Sequence, residues 1–96
     1  MKALRIHESD NVAVALEEIP AGAEVRVLGG AEQRVAARQT VPFAHKLALG
    51  PIARGAAILK YGAPIAFATQ AIGEGEWVHA HNAKSYFVAR REGQTP

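Results

Sequence analysis

Three stretches of this chain share one pattern, Ile-x-x-Gly-x-x-Val/Ile: IPAGAEV at 19 to 25, IARGAAI at 52 to 58 and IGEGEWV at 72 to 78. In each, an isoleucine anchors the chain entering a turn and a glycine supplies the positive φ that a sharp reversal needs. A β-branched residue then opens the outgoing strand. The first two copies lie 33 residues apart and the last two 20 apart, so the corner recurs without the fixed period of a solenoid.

The segments between the corners favour strands: 3 to 7, 11 to 16, 24 to 28, 58 to 62, 64 to 69, 76 to 81 and 84 to 89. Several alternate apolar with polar or small residues, and turn pairs such as Asp10-Asn11 and Gly29-Gly30 separate them. AEQRVAARQ at 31 to 39 is the best helical stretch by propensity, although Val41-Pro42 stops any continuation and a strand there stays open. The pattern predicts an all-β domain over residues 1 to 89, with one short helical turn around 51 to 54. The polar end at 90 to 96 is expected to fray.

With 96 residues and 49% of them hydrophobic, the chain builds one domain around a single core. Only six residues are aromatic, so that core is thin, and contacts with other chains, including self-association, would supplement it. A net charge of +2 with scattered arginines and lysines does not make a nucleic-acid-binding stripe. The lack of cysteine removes disulfides, thiolate metal sites and a cysteine nucleophile. No segment approaches the roughly 20 apolar residues that span a bilayer, and no leader-like run opens the chain. We therefore expect a soluble, cytoplasmic protein.

His79 and His81 follow the single tryptophan in GEWVHAHN, residues 75 to 82. In an extended strand, positions i and i+2 share a face, so both imidazoles would project together and could ligate one cation. The same spacing also describes an ordinary solvated strand face, and two ligands do not complete a site. In PFAHKLAL at 42 to 49, His45 and Lys46 could supply a proton shuttle and a carboxylate-binding cation, or be an ordinary loop with a snorkelling lysine. His7, Asp10 and Asn11 read first as turn chemistry. Neither a phosphate-binding glycine loop nor a nucleophile elbow is found.

Taken together, IHESDNVAVALEEIPAG and VPFAHKLALGPIARGAAILKYGAPIAFATQAIGEGEWVHAHN resemble the small SAF-type domain of altronate and galactarate dehydratases. The blocks that carry the likeness are Asp-Asn-Val-Ala-Val-Ala, Pro-Phe-x-His-Lys, Lys-Tyr-Gly-x-Pro-Ile and Val-His-x-His-Asn, within residues 6 to about 82. The small subunit of sulfolactate sulfo-lyase is similar too, which leaves the leaving group open.

The resemblance implies a β-clip fold of short, strongly bent hairpins. It also implies a hydro-lyase that dehydrates a sugar acid such as altronate or galactarate to a 2-keto-3-deoxy acid, using a divalent metal, iron(II) or manganese. The large catalytic part of that family has no counterpart in these 96 residues, so the resemblance implies a larger partner chain or domain supplying most metal ligands and the base. Carried over on matched positions, His45 and Lys46 take catalytic roles, Lys46 and Asn82 contact substrate, and His79 and His81 bind the shared metal. Two positions depart from the family pattern: Ala44 and Ala66 each stand where glycine is usual. If either needs positive φ or close approach, alanine strains the backbone or narrows the pocket. A reading from another class is a non-catalytic module that binds a sugar acid or docks a protein, because fold alone does not carry function.

Overall fold

The computed structural model describes residues 1–86, which form nine strands. They are β1 (Lys2–Leu4), β2 (Val12–Ala15), β3 (Glu24–Leu28), β4 (Gln33–Ala36), β5 (Lys46–Ala48), β6 (Ala57–Lys60), β7 (Ala63–Ala68), β8 (Trp77–Val78) and β9 (Ala83–Ser85). A six-stranded sheet runs β4-β3-β1-β2-β5-β8 and a three-stranded sheet runs β6-β7-β9. β1 pairs with β3 in parallel, while the other pairings among the described residues are antiparallel. The fold is all-β and SAF-like, as the corner pattern and the resemblance led us to expect.

The three glycine corners share one geometry. Gly22, Gly55 and Gly75 have φ of 87°, 84° and 86°. In each turn the following residue donates back across it: Ala23 to Pro20, Ala56 to Ala53 and Glu76 to Gly73, at 2.9–3.1 Å. Glycine at the third position with φ near +80° is the requirement of a type II turn.

A fourth corner, VPFAHKL at 41 to 47, escaped the sequence pattern because alanine holds the glycine position. Ala44 has φ of 70°, and the His45 N–H donates to the Pro42 carbonyl at 3.0 Å. All four corners thus belong to an eleven-residue unit, Ala-x-x-x-Ile/Val-x-x-Gly/Ala-x-x-Val/Leu/Ile, at 15 to 25, 37 to 47, 48 to 58 and 68 to 78.

The leading alanine of each unit is the dock for another unit's corner. Gly22 donates to the Ala37 carbonyl, Ala44 to Ala15, Gly55 to Ala68 and Gly75 to Ala48, at 2.7–2.9 Å. Each alanine N–H returns a bond to the residue after the corner. The units therefore clasp in two reciprocal pairs, and the bridges Ile19↔Val41 and Ile52↔Ile72 tie the same pairs. All four alanines are buried, which leaves the corner backbones room to approach.

This pairing replaces the expected single core with two. One cluster gathers Ala15, Ile19, Val25, Ala37, Val41 and Leu47, and the other Ala48, Ile52, Ile58, Ala68, Ile72 and Val78. β2 and β5 lie between them: Ala13 and Leu47 face the first cluster, Val12 and Ala48 the second. Alternation along a strand sends neighbouring side chains to opposite faces, so both faces of these two strands are covered.

Asp10 and Asn11 do more than make a turn. The Asp10 carboxylate accepts from the backbone N–H groups of His7, Tyr61 and Gly62 at 2.8–3.0 Å. Asn11 accepts from the Leu59 N–H at 2.8 Å and donates to the Ala57 carbonyl at 2.9 Å. Together they fasten the β6–β7 hairpin to the large sheet. At its tip, Tyr61 and Gly62 both have positive φ, 56° and 75°, as a two-residue type I′ turn requires.

Several local expectations change. The segment around 51 to 54 is not helical: Ile52 bridges Ile72, and residues 53 to 56 form the second corner. Of the two readings left open for 31 to 39 the strand holds: Gln33–Ala36 form β4, whose Val35 pairs with Val25 and is buried, so tertiary pairing overrides helix propensity. The strand expected over 76 to 81 ends at Val78. The outer part of the 84 to 89 strand and the 90 to 96 tail lie outside the described residues.

Candidate functional site

The two hydrophobic clusters meet where β5 pairs with β8, Lys46 opposite Val78 and Leu47 opposite Trp77. One step beyond that register, His45 leaves the fourth corner and His79 leaves β8, and their rings lie 4.7 Å apart. Trp77 joins them. Its indole stacks on the His79 ring at 5.2 Å and 8°, meets His81 at 5.0 Å, and donates its N–H to His45 Nδ1 at 3.1 Å.

His79 and His81 sit in a tight turn rather than on a strand, because Asn82 closes the chain there. Asn82 Oδ1 accepts from the His79 N–H at 3.0 Å, its Nδ2 donates to the Trp77 carbonyl at 2.9 Å, and its own N–H donates to the His79 carbonyl at 3.1 Å. Asn82 is fully buried, and both ends of its amide are engaged by backbone. Its position is that of a peg holding the histidine turn, away from the cleft surface where a substrate contact was expected.

Beside the cluster, a cleft of about 630 Å³ opens between the two sheets. Ile58, Ile65, Ala66 and Val78 form its apolar walls, and Lys46, His79, Lys84, Thr69 and Ser85 bring the polar groups. Lys46 is half-buried, and its ammonium is held below the ordinary lysine value by burial and then by the charge of Lys60. His79 is held below the ordinary imidazole value by desolvation first, then by the neighbouring His45, Lys46 and His81. Both shifts favour the neutral forms, and an anion placed beside either group would favour its charged form again.

Of the residues singled out from sequence, Lys46 and His79 line this cleft, while His45 and His81 lie outside its lining, His45 against the His79 and Trp77 rings and His81 against Trp77. Ala66, without positive φ, lines the cleft, whereas Ala44 holds the left-handed backbone. Sequence reasoning missed Trp77 as the hub of the imidazoles and Lys84 as cleft lining. The signal for Trp77 was its place one residue before Val-His-x-His. Among the described residues, no group of three His, Cys, Asp or Glu side chains is placed to hold a metal ion. His45, His79 and His81 gather around Trp77 without converging on one point, so a complete divalent-metal site does not fit within the described residues. No described helix is long and apolar enough to cross a membrane.

These features define a class: an all-β domain of clasped hairpin corners carrying an imidazole cluster and a cation-edged cleft at the join of its two halves. Residues 1–86 match the altronate/galactarate dehydratase SAF domain, and the chain belongs to that family. It is 47% identical to altronate dehydratase of Escherichia coli over 85 residues, which are 88% of this chain and 17% of that protein. With altronate dehydratase of Bacillus subtilis it shares 37% identity over 82 residues, 85% of this chain and 16% of that one. It is also 38% identical over 48 residues to the (2R)-sulfolactate sulfo-lyase subunit alpha of Chromohalobacter salexigens, half of each chain. The chain thus spans about a sixth of the length of the dehydratases it matches.

Proposed function

We propose that this chain is the small domain or subunit of a cytoplasmic hydro-lyase that removes water from a sugar acid such as altronate or galactarate, and that it works with a larger catalytic chain. The observation that carries this reading is the convergence of Lys46 and His79 on one cleft, with His45 packed behind His79, in a domain whose relatives are named dehydratases.

Elimination of water next to a carboxylate removes a weakly acidic α-proton, develops enediolate charge and expels hydroxide as water. Lys46 supplies a cation for the substrate carboxylate, and the apolar cleft walls exclude water around that ion pair. His45 and His79 offer nitrogen groups beside it. The base comes from the larger chain in this reading. A divalent ion, iron(II) or manganese, belongs to it only as an ion held mainly by that larger chain, with His79 and His81 as the donors on this side.

A second reading has its own support: the likeness to a sulfo-lyase subunit of which this chain covers 51%. Sulfite would then leave in place of water. Co-expression with the adjacent or co-purifying larger chain, followed by assay of sugar acids and sulfolactate, separates the two. Formation of a 2-keto-3-deoxy acid supports the dehydratase, and sulfite release supports the sulfo-lyase. Ligand binding by the chain with neither product favours a non-catalytic module.

A further inference from the structure

We infer that Trp77 fixes the tautomer of His45, so that His45 serves the site as a neutral hydrogen-bond donor to a negatively charged oxygen and not as a base or a metal ligand. The indole N–H is a donor with no acceptor capacity, so the His45 Nδ1 that receives it at 3.1 Å carries no proton. The ring proton of neutral His45 is therefore on Nε2, and that nitrogen has no lone pair to offer a metal or a substrate proton. What it offers is an N–H.

Neighbouring geometry holds this arrangement. His45 is set by the Ala44 corner, whose N–H and following carbonyl are both tied to Ala15. Trp77 is set by β8 pairing with Leu47 and by its backbone N–H, which donates to the Gln39 side-chain Oε1 at 2.9 Å. Its ring is further fixed by the near-parallel stack on His79. Both partners of the hydrogen bond are thus anchored within the fold before any ligand arrives, which is what preorganised stabilisation of a carboxylate or enediolate oxygen requires. Trp77 is a positioning residue. The chemical role of His45, though not its tautomer, rests on the hydro-lyase reading above.

The tautomer is tested on the ¹⁵N-labelled 96-residue chain by NMR. A scalar coupling across the hydrogen bond between Trp77 Nε1 and His45 Nδ1, with His45 Nε2 protonated, is expected. No coupling, or a protonated Nδ1 in neutral His45, overturns the inference whatever the protein catalyses.

The role is tested in the active assembly by comparing His45→Gln with His45→Ala. Glutamine can accept from Trp77 through Oε1 and donate through Nε2. It should keep activity within about tenfold of the wild type, while alanine loses about a hundredfold or more in kcat, as removal of an oxyanion donor does. Equal losses for both variants would overturn the donor role. A coupling seen in a chain whose assemblies dehydrate nothing leaves the tautomer standing and refutes the hydro-lyase reading.

Discussion

Ala44 donates its N–H to the Ala15 carbonyl at 2.9 Å from a φ of 70°, making with alanine the contact that Gly22, Gly55 and Gly75 make with glycine. A left-handed conformation costs an alanine roughly 1–2 kcal/mol, partly offset by the lower backbone entropy it loses on folding. Ala44→Gly should therefore stabilise the chain by about 1 kcal/mol, read as a shift of the urea midpoint with unchanged slope. Because the corner also aims His45, the Trp77 hydrogen bond should loosen in the same variant, visible as faster exchange of the indole proton.

The glycine corners are not equally tolerant. A Cβ built on Gly22 or Gly55 meets nothing within 4 Å, whereas one on Gly75 runs into the Ala36 carbonyl oxygen. Gly22→Ala and Gly55→Ala should each cost about 1–2 kcal/mol, the conformational term alone. Gly75→Ala must also displace backbone and should cost about 3 kcal/mol or more. Denaturant unfolding of the three variants checks the order.

Burial of Asp10 raises its carboxyl pKa, but the backbone N–H groups of Gly62, His7 and Tyr61, with the His7 charge, outweigh it and hold the group below its ordinary value. A depressed value in the folded state means the stabilisation is fully present above the unfolded value of 3.8 and is lost as pH falls through the folded one. Unfolding followed from pH 7 into the acid range, roughly pH 2, should show a steep loss below the ordinary carboxylate range. In Asp10→Asn that acid limb should flatten, with stability near neutrality lower by about 2 kcal/mol.

Removing the Asn82 amide strands the His79 N–H and the Trp77 carbonyl. A fully buried unsatisfied group costs about 1–3 kcal/mol; both of these are only part-buried, so Asn82→Ala should destabilise the chain by about 2 kcal/mol. Ring contacts among Trp77, His79 and His81 should weaken with it, measured as loss of NOEs between them. Asn82→Asp keeps the acceptor and loses the donor, so it should recover part of the stability.

The corners were legible because glycine marks a positive φ and isoleucine marks the buried entry; three of four could be read from that pair. The fourth was hidden by Ala44, where the backbone takes the glycine conformation without the glycine. Asp10 and Asn11 looked like local turn residues because sequence shows neighbours, while their partners Tyr61, Gly62, Leu59 and Ala57 are 46 to 52 positions away. His45 and His79 could each be singled out, but their meeting depends on the β5–β8 register, which no local pattern encodes. His79 and His81 were assigned to a strand because alternation continues through residue 81, and the side chain of Asn82 overrode it.

In the function we propose, this domain completes a sugar-acid dehydratase. The most direct test purifies the larger chain with and without the 96-residue chain and measures 2-keto-3-deoxy acid formation from altronate and galactarate under one set of conditions. Product that forms only with both chains present, and falls sharply with Lys46→Ala, is the predicted result. An assembly inactive on every sugar acid, or equally active when this chain is left out, would contradict it.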